Sequence, residues 1–181
     1  DAVAWSEHLA AVTEGAAKAR EVTGIEARAI ATGVRHYGPD SVERAARLAI
    51  EVMHPFVVGF GLAGDERVGA LADFSHSFEA VREAGLGITV HAGEFGGPAS
   101  VAAALDTLGA RRIGHGVRGA EDPALLARLA AEGVVLEVCP GSNLALGLYR
   151  DMTDHPLRRL VEAGCRVTLS TDDPPFFHTS M

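Results

Sequence analysis

His91-Ala92-Gly93-Glu94 closes the apolar run Gly87-Ile88-Thr89-Val90 and sets an imidazole and a carboxylate three residues apart across two small residues. A strand that stops near His91 puts the ring at the mouth of a sheet, and the turn allowed by Ala92-Gly93 brings Glu94 over the same pocket. That pairing suits a metal ligand followed by a proton donor. The plainer reading is a hydrogen-bonded histidine and a glutamate that caps the helix starting near Pro98. Repetition favours the first. His115 stands between Gly114 and Gly116 after Arg112-Ile113, and Asp172-Asp173 follow the run Arg166-Val167-Thr168-Leu169-Ser170-Thr171.

Neutral imidazole and carboxylate are good ligands for a borderline ion such as Zn²⁺, and a catalytic zinc site keeps one position for water. His91 and Asp172 are the best ligand candidates, with one zinc expected per site. Zinc lowers the pKa of its water towards about 7 and so supplies hydroxide at neutral pH. His115 is placed to orient and stabilise that hydroxide. Glu94, once protonated, can donate to a heterocyclic ring nitrogen as the adjacent carbon is attacked, and Asp173 is free to hold the substrate. His36, His54, His76 and His155 fall in helices or connections and read as exposed or capping residues. His178, after Pro174-Pro175-Phe176-Phe177, is expected near the pocket mouth, where it could touch substrate, and Gly141-Ser142-Asn143 is expected to support the metal side of the site.

The elements that must position these groups alternate along the chain. Apolar residues at Trp5, Leu9, Val12, Ala16 and Ala19 recur every three or four positions and mark a helix over 5–22, closed by Gly24. Strands are expected over 25–34, 57–61, 87–91, 112–114, 134–138 and 166–170. Helices are expected over 41–53, with Asp40 or Ser41 as N-cap, and over 72–84, 98–108, 123–132 and 156–163. Six β/α units of about 25–30 residues are the rhythm of a parallel sheet with crossover helices. The choice lies between a (β/α)₈ barrel and an open doubly wound sheet. His91, Glu94, His115, Asp172 and Asp173 follow the third, fourth and sixth strands, whose ends converge only in a barrel. Residues 1–181 are therefore read as a single, partial α/β barrel domain, two units short of closure and truncated at both ends.

With 181 residues, 48% of them hydrophobic and 22% charged, the chain has enough apolar material for a core. A net charge of −8 argues against nucleic acid or an anionic membrane as partner and favours a small-molecule substrate. No apolar run approaches a membrane span and the N-terminus has no signal-like pattern, so a cytoplasmic location is expected. Cys139 and Cys165 belong to no C-x-x-C and are expected to be reduced and structural, which sets aside the deaminases that hold zinc through a Pro-Cys-x-x-Cys signature.

His91-Ala92-Gly93-Glu94, Gly114-His115-Gly116, Cys139-Pro140-Gly141-Ser142-Asn143 and Thr171-Asp172-Asp173-Pro174, in this order, resemble the adenosine deaminase family of amidohydrolase barrels. Leu62-Ala63-Gly64-Asp65-Glu66 resembles that family's purine-contacting turn. The resemblance implies zinc ligands at His91 and Asp172, a proton donor at Glu94, a catalytic histidine at His115, and purine contacts from Gly64 and Asp173. The reaction it implies is zinc-dependent hydrolytic deamination of adenosine, a purine nucleoside, to inosine and ammonia. Adenine or a larger nucleoside such as aminodeoxyfutalosine is the alternative substrate, and a metal-free binding barrel or inert fragment is the non-catalytic alternative. The family's first strand also carries a His-x-His zinc pair, which none of the eight histidines here forms. That pair is expected upstream of Asp1, so that the longer protein is the enzyme and this segment alone is inactive. The oligomeric state is left open.

Overall fold

The computed structural model describes residues 2–180. Six parallel strands form one sheet: β1 (Ala29–Val34), β2 (Val57–Ala63), β3 (Gly87–Ala92), β4 (Arg112–His115), β5 (Val135–Val138) and β6 (Arg166–Leu169). Their spatial order is their sequence order, β1-β2-β3-β4-β5-β6. A doubly wound sheet reverses its order part-way and carries helices on both faces, whereas an unreversed order with right-handed crossovers keeps the helices on one face, as in a barrel wall. The sheet is a partial barrel of that kind.

The helices are α1 (Ala2–Thr23), α2 (Pro39–Val52), α3 (Ser75–Glu83), α4 (Gly97–Leu108), α5 (Pro123–Ala131), α6 (Pro140–Ala145), α7 (Leu157–Glu162) and α8 (Pro174–Phe177). Their ends follow local chemistry. The Asp122 carboxylate caps α5 by accepting the N–H groups of Ala124 at 2.8 Å and Leu125 at 3.2 Å. Gly109 closes α4 in the left-handed region at φ 66°.

Some boundaries differ from the sequence expectation. The first strand begins at Ala29 rather than Ile25, because its neighbour β2 begins at Val57, the partner of Ala29, and earlier residues have no strand to pair with. Gly38 rather than Asp40 or Ser41 is the N-cap of α2, since Pro39 has no N–H to leave unsatisfied and suits the first helical position. A 3₁₀ turn over Leu71–Phe74 precedes α3, where one continuous helix was expected. The short helices α6 and α8 follow β5 and β6, and Pro140 and Pro174 start them.

The core lies between the sheet and its helices. Ile88, Val90 and Ala92 alternate along β3 on the buried face, and Ile113, Leu136 and Val138 continue that layer. Val101, Leu108 and Leu129 close over it from α4 and α5, and Phe60 meets Phe78 edge-on at 5.4 Å. The alternation puts Thr89 and His91 on the opposite face. There Glu137 accepts hydrogen bonds from Thr89 Oγ1 at 2.9 Å and Arg112 Nε at 2.6 Å, joining β3, β4 and β5 below the strand ends.

Candidate active site

In β3 and β4, His91 pairs with Gly114 and Ala92 with His115, so the two histidines leave adjacent strands at nearly the same level. Their ring centroids are 4.6 Å apart. The turn after β3 then returns Glu94 to them. Gly93 makes this turn at φ 74°, and a Cβ there would overlap Val101 Cγ2 and come within 3.2 Å of Gly116 Cα, so only glycine fits.

The turn is built on a side chain from the previous strand end. Glu66 is buried, and its carboxylate accepts the Gly93 N–H at 2.7 Å, the Gly96 N–H at 2.5 Å, the Phe95 N–H and the Ser100 hydroxyl at 2.8 Å. Burial alone would raise the Glu66 carboxyl. The hydrogen bonds from Gly96, Ser100, Phe95 and Gly93 outweigh it and hold the group below its ordinary range.

Glu94 is only 3% exposed. Its Oε2 lies 3.1 Å from His91 Nε2, and its Oε1 lies 3.3 Å from His115 Nδ1 and accepts from Asn143 Nδ2 at 3.0 Å. His115 Nε2 is 3.8 Å from Asp172 Oδ2. Both His115 and Asp172 sit at φ 61°, a conformation that costs a non-glycine residue about 1–2 kcal/mol and that aims both side chains into the same space. Burial, reinforced by the neighbouring His91, pushes the His115 imidazole below its ordinary pKa despite the carboxylates of Glu94 and Asp172.

The structure thus links His91, Glu94, His115 and Asp172 in one series of contacts, with His91 and Asp172 in separate ligand groups that share His115. Gly64 and Asp173 stand outside this group, on strand ends to either side. Gly64 follows β2 at φ 96°, where a Cβ would lie 2.6 Å from His36 Nδ1. Asp173 is exposed and is the N-cap residue of α8. His178 is exposed too, in a hollow shared with Pro140, Gly141 and Ser170. The buried cysteines are free thiols, and burial, with Asp172 nearby, pushes Cys139 up to about 12.

One sequence expectation needs correction. His155 is neither exposed nor merely capping: it is 4% exposed, and its Nε2 lies 3.2 Å from Asn143 Oδ1. Asn143, expected to support the metal side of the site, hydrogen-bonds Glu94 and lies 3.3 Å from His115 Nδ1. Glu66 belongs to the turn that resembles the family's purine-contacting one, and its signal in the sequence is a carboxylate three residues past an apolar strand.

The donor set fits a divalent ion. Ligand atoms of His91, Glu94 and His115 lie within 4.8 Å of one another, as do those of His115, Cys139 and Asp172. Imidazole nitrogens with carboxylate oxygens suit a borderline metal better than calcium or magnesium, which favour oxygen alone.

The family model described as adenosine deaminase matches residues 3–181. The chain belongs to the adenosine deaminase family. Among relatives of this family, an adenine deaminase of Chelativorans sp. (strain BNC1) is 58% identical over 178 residues, 98% of this chain and 54% of its own length. The crystal structure of an adenine deaminase from Arthrobacter aurescens superposes with a TM-score of 0.85 at 34% identity, over 93% of this chain and 51% of that one. An amidohydrolase from Burkholderia ambifaria with bound Zn superposes with a TM-score of 0.84 at 31% identity, over 95% of this chain and 48% of that one. The chain therefore spans about half the length of the curated relatives it matches. Among the described residues no helix is long and apolar enough to cross a membrane.

Proposed function

We propose that the whole protein is a zinc-dependent aminohydrolase that converts adenine and water to the 6-oxopurine and ammonia. The observation that carries this is the buried Glu94 carboxyl, within 3.3 Å of two histidines at strand ends, with Asp172 3.8 Å beyond the second. Adenine takes precedence over adenosine, the first expectation from sequence, because relatives 56–59% identical bear the name adenine deaminase. Adenosine remains the second reading, favoured by the description of the family model.

His91 and Asp172 would hold the metal, with further ligands, the His-x-His pair that the resemblance implies, from outside these 181 residues. A bound zinc supplies hydroxide near neutral pH. Attack at C6 of the purine breaks the C6–N1 π bond and with it the aromaticity of the ring, so the electron pair left on N1 must gain a proton. Glu94 is the donor, since burial among imidazoles lets a carboxylic acid deliver a proton without competition from water. His115 orients the attacking oxygen from the far side of Glu94, and Gly64 and Asp173 hold the purine at the rim.

Glu94→Gln in the whole protein keeps size and polarity but removes the transferable proton. Adenine turnover should fall by about 10²- to 10⁴-fold with zinc still bound, whereas His91→Ala should lose zinc and activity together. A Glu94→Gln enzyme within a few-fold of the parent would remove Glu94 from the chemistry. Comparing kcat/KM for adenine and adenosine decides the substrate.

A further inference from the structure

His155 lies 61 residues beyond Glu94 in the chain, on the segment before α7, and plays no part in the reaction just described. Its hydrogen bonds nevertheless reach the centre of the site. The Leu157 N–H points at His155 Nδ1 at 3.1 Å, so Nδ1 is an acceptor and carries no proton. In a neutral imidazole the proton then sits on Nε2, which faces Asn143 Oδ1 at 3.2 Å. This donor fixes the orientation of the Asn143 amide, with its oxygen towards His155 and its NH₂ away from it. The NH₂ has two hydrogens and two partners, Glu94 Oε1 at 3.0 Å and His115 Nδ1 at 3.3 Å. Asn143 is fully buried, so no water competes for these bonds.

We propose that His155 and Asn143 are a positioning pair: His155 locks the Asn143 amide, and the amide fixes His115 as the Nε2–H tautomer and occupies Glu94 Oε1. The consequences are specific. His115 then presents its only N–H towards Asp172, 3.8 Å from Nε2, rather than towards Glu94. Glu94 Oε1 is taken by the Asn143 amide, which leaves Oε2 as the oxygen turned to His91, at 3.1 Å. A single buried amide thereby sets the proton position of the histidine and holds one oxygen of the acid beside it, whereas in water the imidazole would sample both tautomers. The catalytic consequence rests on the deaminase reading above; the tautomer itself does not.

In the whole, zinc-loaded protein with ¹⁵N-labelled histidine, long-range ¹H–¹⁵N correlation spectra report which ring nitrogen bears the proton, and His115→Gln identifies the His115 signals by their loss. The expected spectrum has His115 Nδ1 bare and Nε2 protonated; a proton on Nδ1 in the parent protein overturns the proposal. Asn143→Asp keeps the shape but turns the donor into an acceptor, so the proton should move to His115 Nδ1 and kcat should fall at least about 10²-fold with KM little changed. An unmoved proton, or a kcat within a few-fold of the parent, counts against the pair. Should Asn143→Asp fail to fold, His155→Phe and His155→Gln decide: only Gln offers an N–H to Asn143 Oδ1, so it should recover most of the kcat that Phe loses. Equal losses from the two overturn the proposal. The expected tautomer in a protein that turns over neither adenine nor adenosine would sink the deaminase reading and leave the pair standing.

Discussion

Glu66 Oε2 accepts the backbone N–H of Gly93 at 2.7 Å, so a carboxylate after β2 anchors the turn that carries the proposed acid Glu94 after β3. Three backbone N–H groups and one hydroxyl converge on this one side chain. Glu66→Gln puts an NH₂ where two of those donors point. Unfolding free energy should fall by about 1–3 kcal/mol, the usual cost of unmatched buried polar groups, and kcat should drop at least about 10-fold as Glu94 loses its fixed position. Urea titration and steady-state rates check this. An unchanged rate would mean that the 93–96 turn holds its shape without Glu66.

Gly93→Ala tests the turn from inside. Alanine at φ 74° carries left-handed strain, and its methyl meets Val101 Cγ2, a fully buried partner with no room to retreat. The strain alone costs about 1–2 kcal/mol. Thermal unfolding should shift down and kcat should fall, and both should recover in part when Val101→Ala is added to open the space.

Stability should depend on pH through His155. Burial holds its folded pKa below the ordinary 6.5, so the unfolded chain binds a proton that the folded chain refuses. The contribution is fully present above 6.5 and is lost as pH falls towards the lower, folded value. The hydrogen-bonded Glu66, held below 4.5, adds a second loss at more acidic pH with the same sign. Urea midpoints between about pH 7.5 and about pH 5.5 should fall in the parent and fall less in His155→Gln. Equal slopes would show that His155 is protonated as easily folded as unfolded.

Expressed by themselves, these 181 residues should self-associate. Ile30 on β1, Val58 on β2 and Leu169 on β6 are about half exposed, at 41%, 48% and 53%, and both β1 and β6 present an unpaired edge among the described residues. Light scattering after size exclusion measures this directly. A monodisperse, cooperatively unfolding monomer would show that these surfaces need no cover.

Much of the site was legible because its signals are local. Apolar runs that end in His91, His115 and Asp172 put those residues at strand ends, and Gly93 gave Glu94 its short return; the six-unit rhythm needed only periodicity. The unreversed strand order was reached indirectly, from the need for distant strand ends to converge. What no local window contains is contact between strand ends. Glu66 meets Gly93 across 27 residues, and Asn143 meets Glu94 across 49. Those meetings depend on the register of neighbouring strands and on the small helix α6 that starts at Pro140, and both are set by packing. The same holds for β1, whose start is dictated by its partner Val57 and not by its own apolar residues. Sequence determined which groups could do the chemistry, because residue type and strand periodicity are properties of the chain. Only the tertiary structure decided which buried amide and carboxylate hold them in place, because hydrogen bonds between separate strand ends exist only once the sheet has closed their distance.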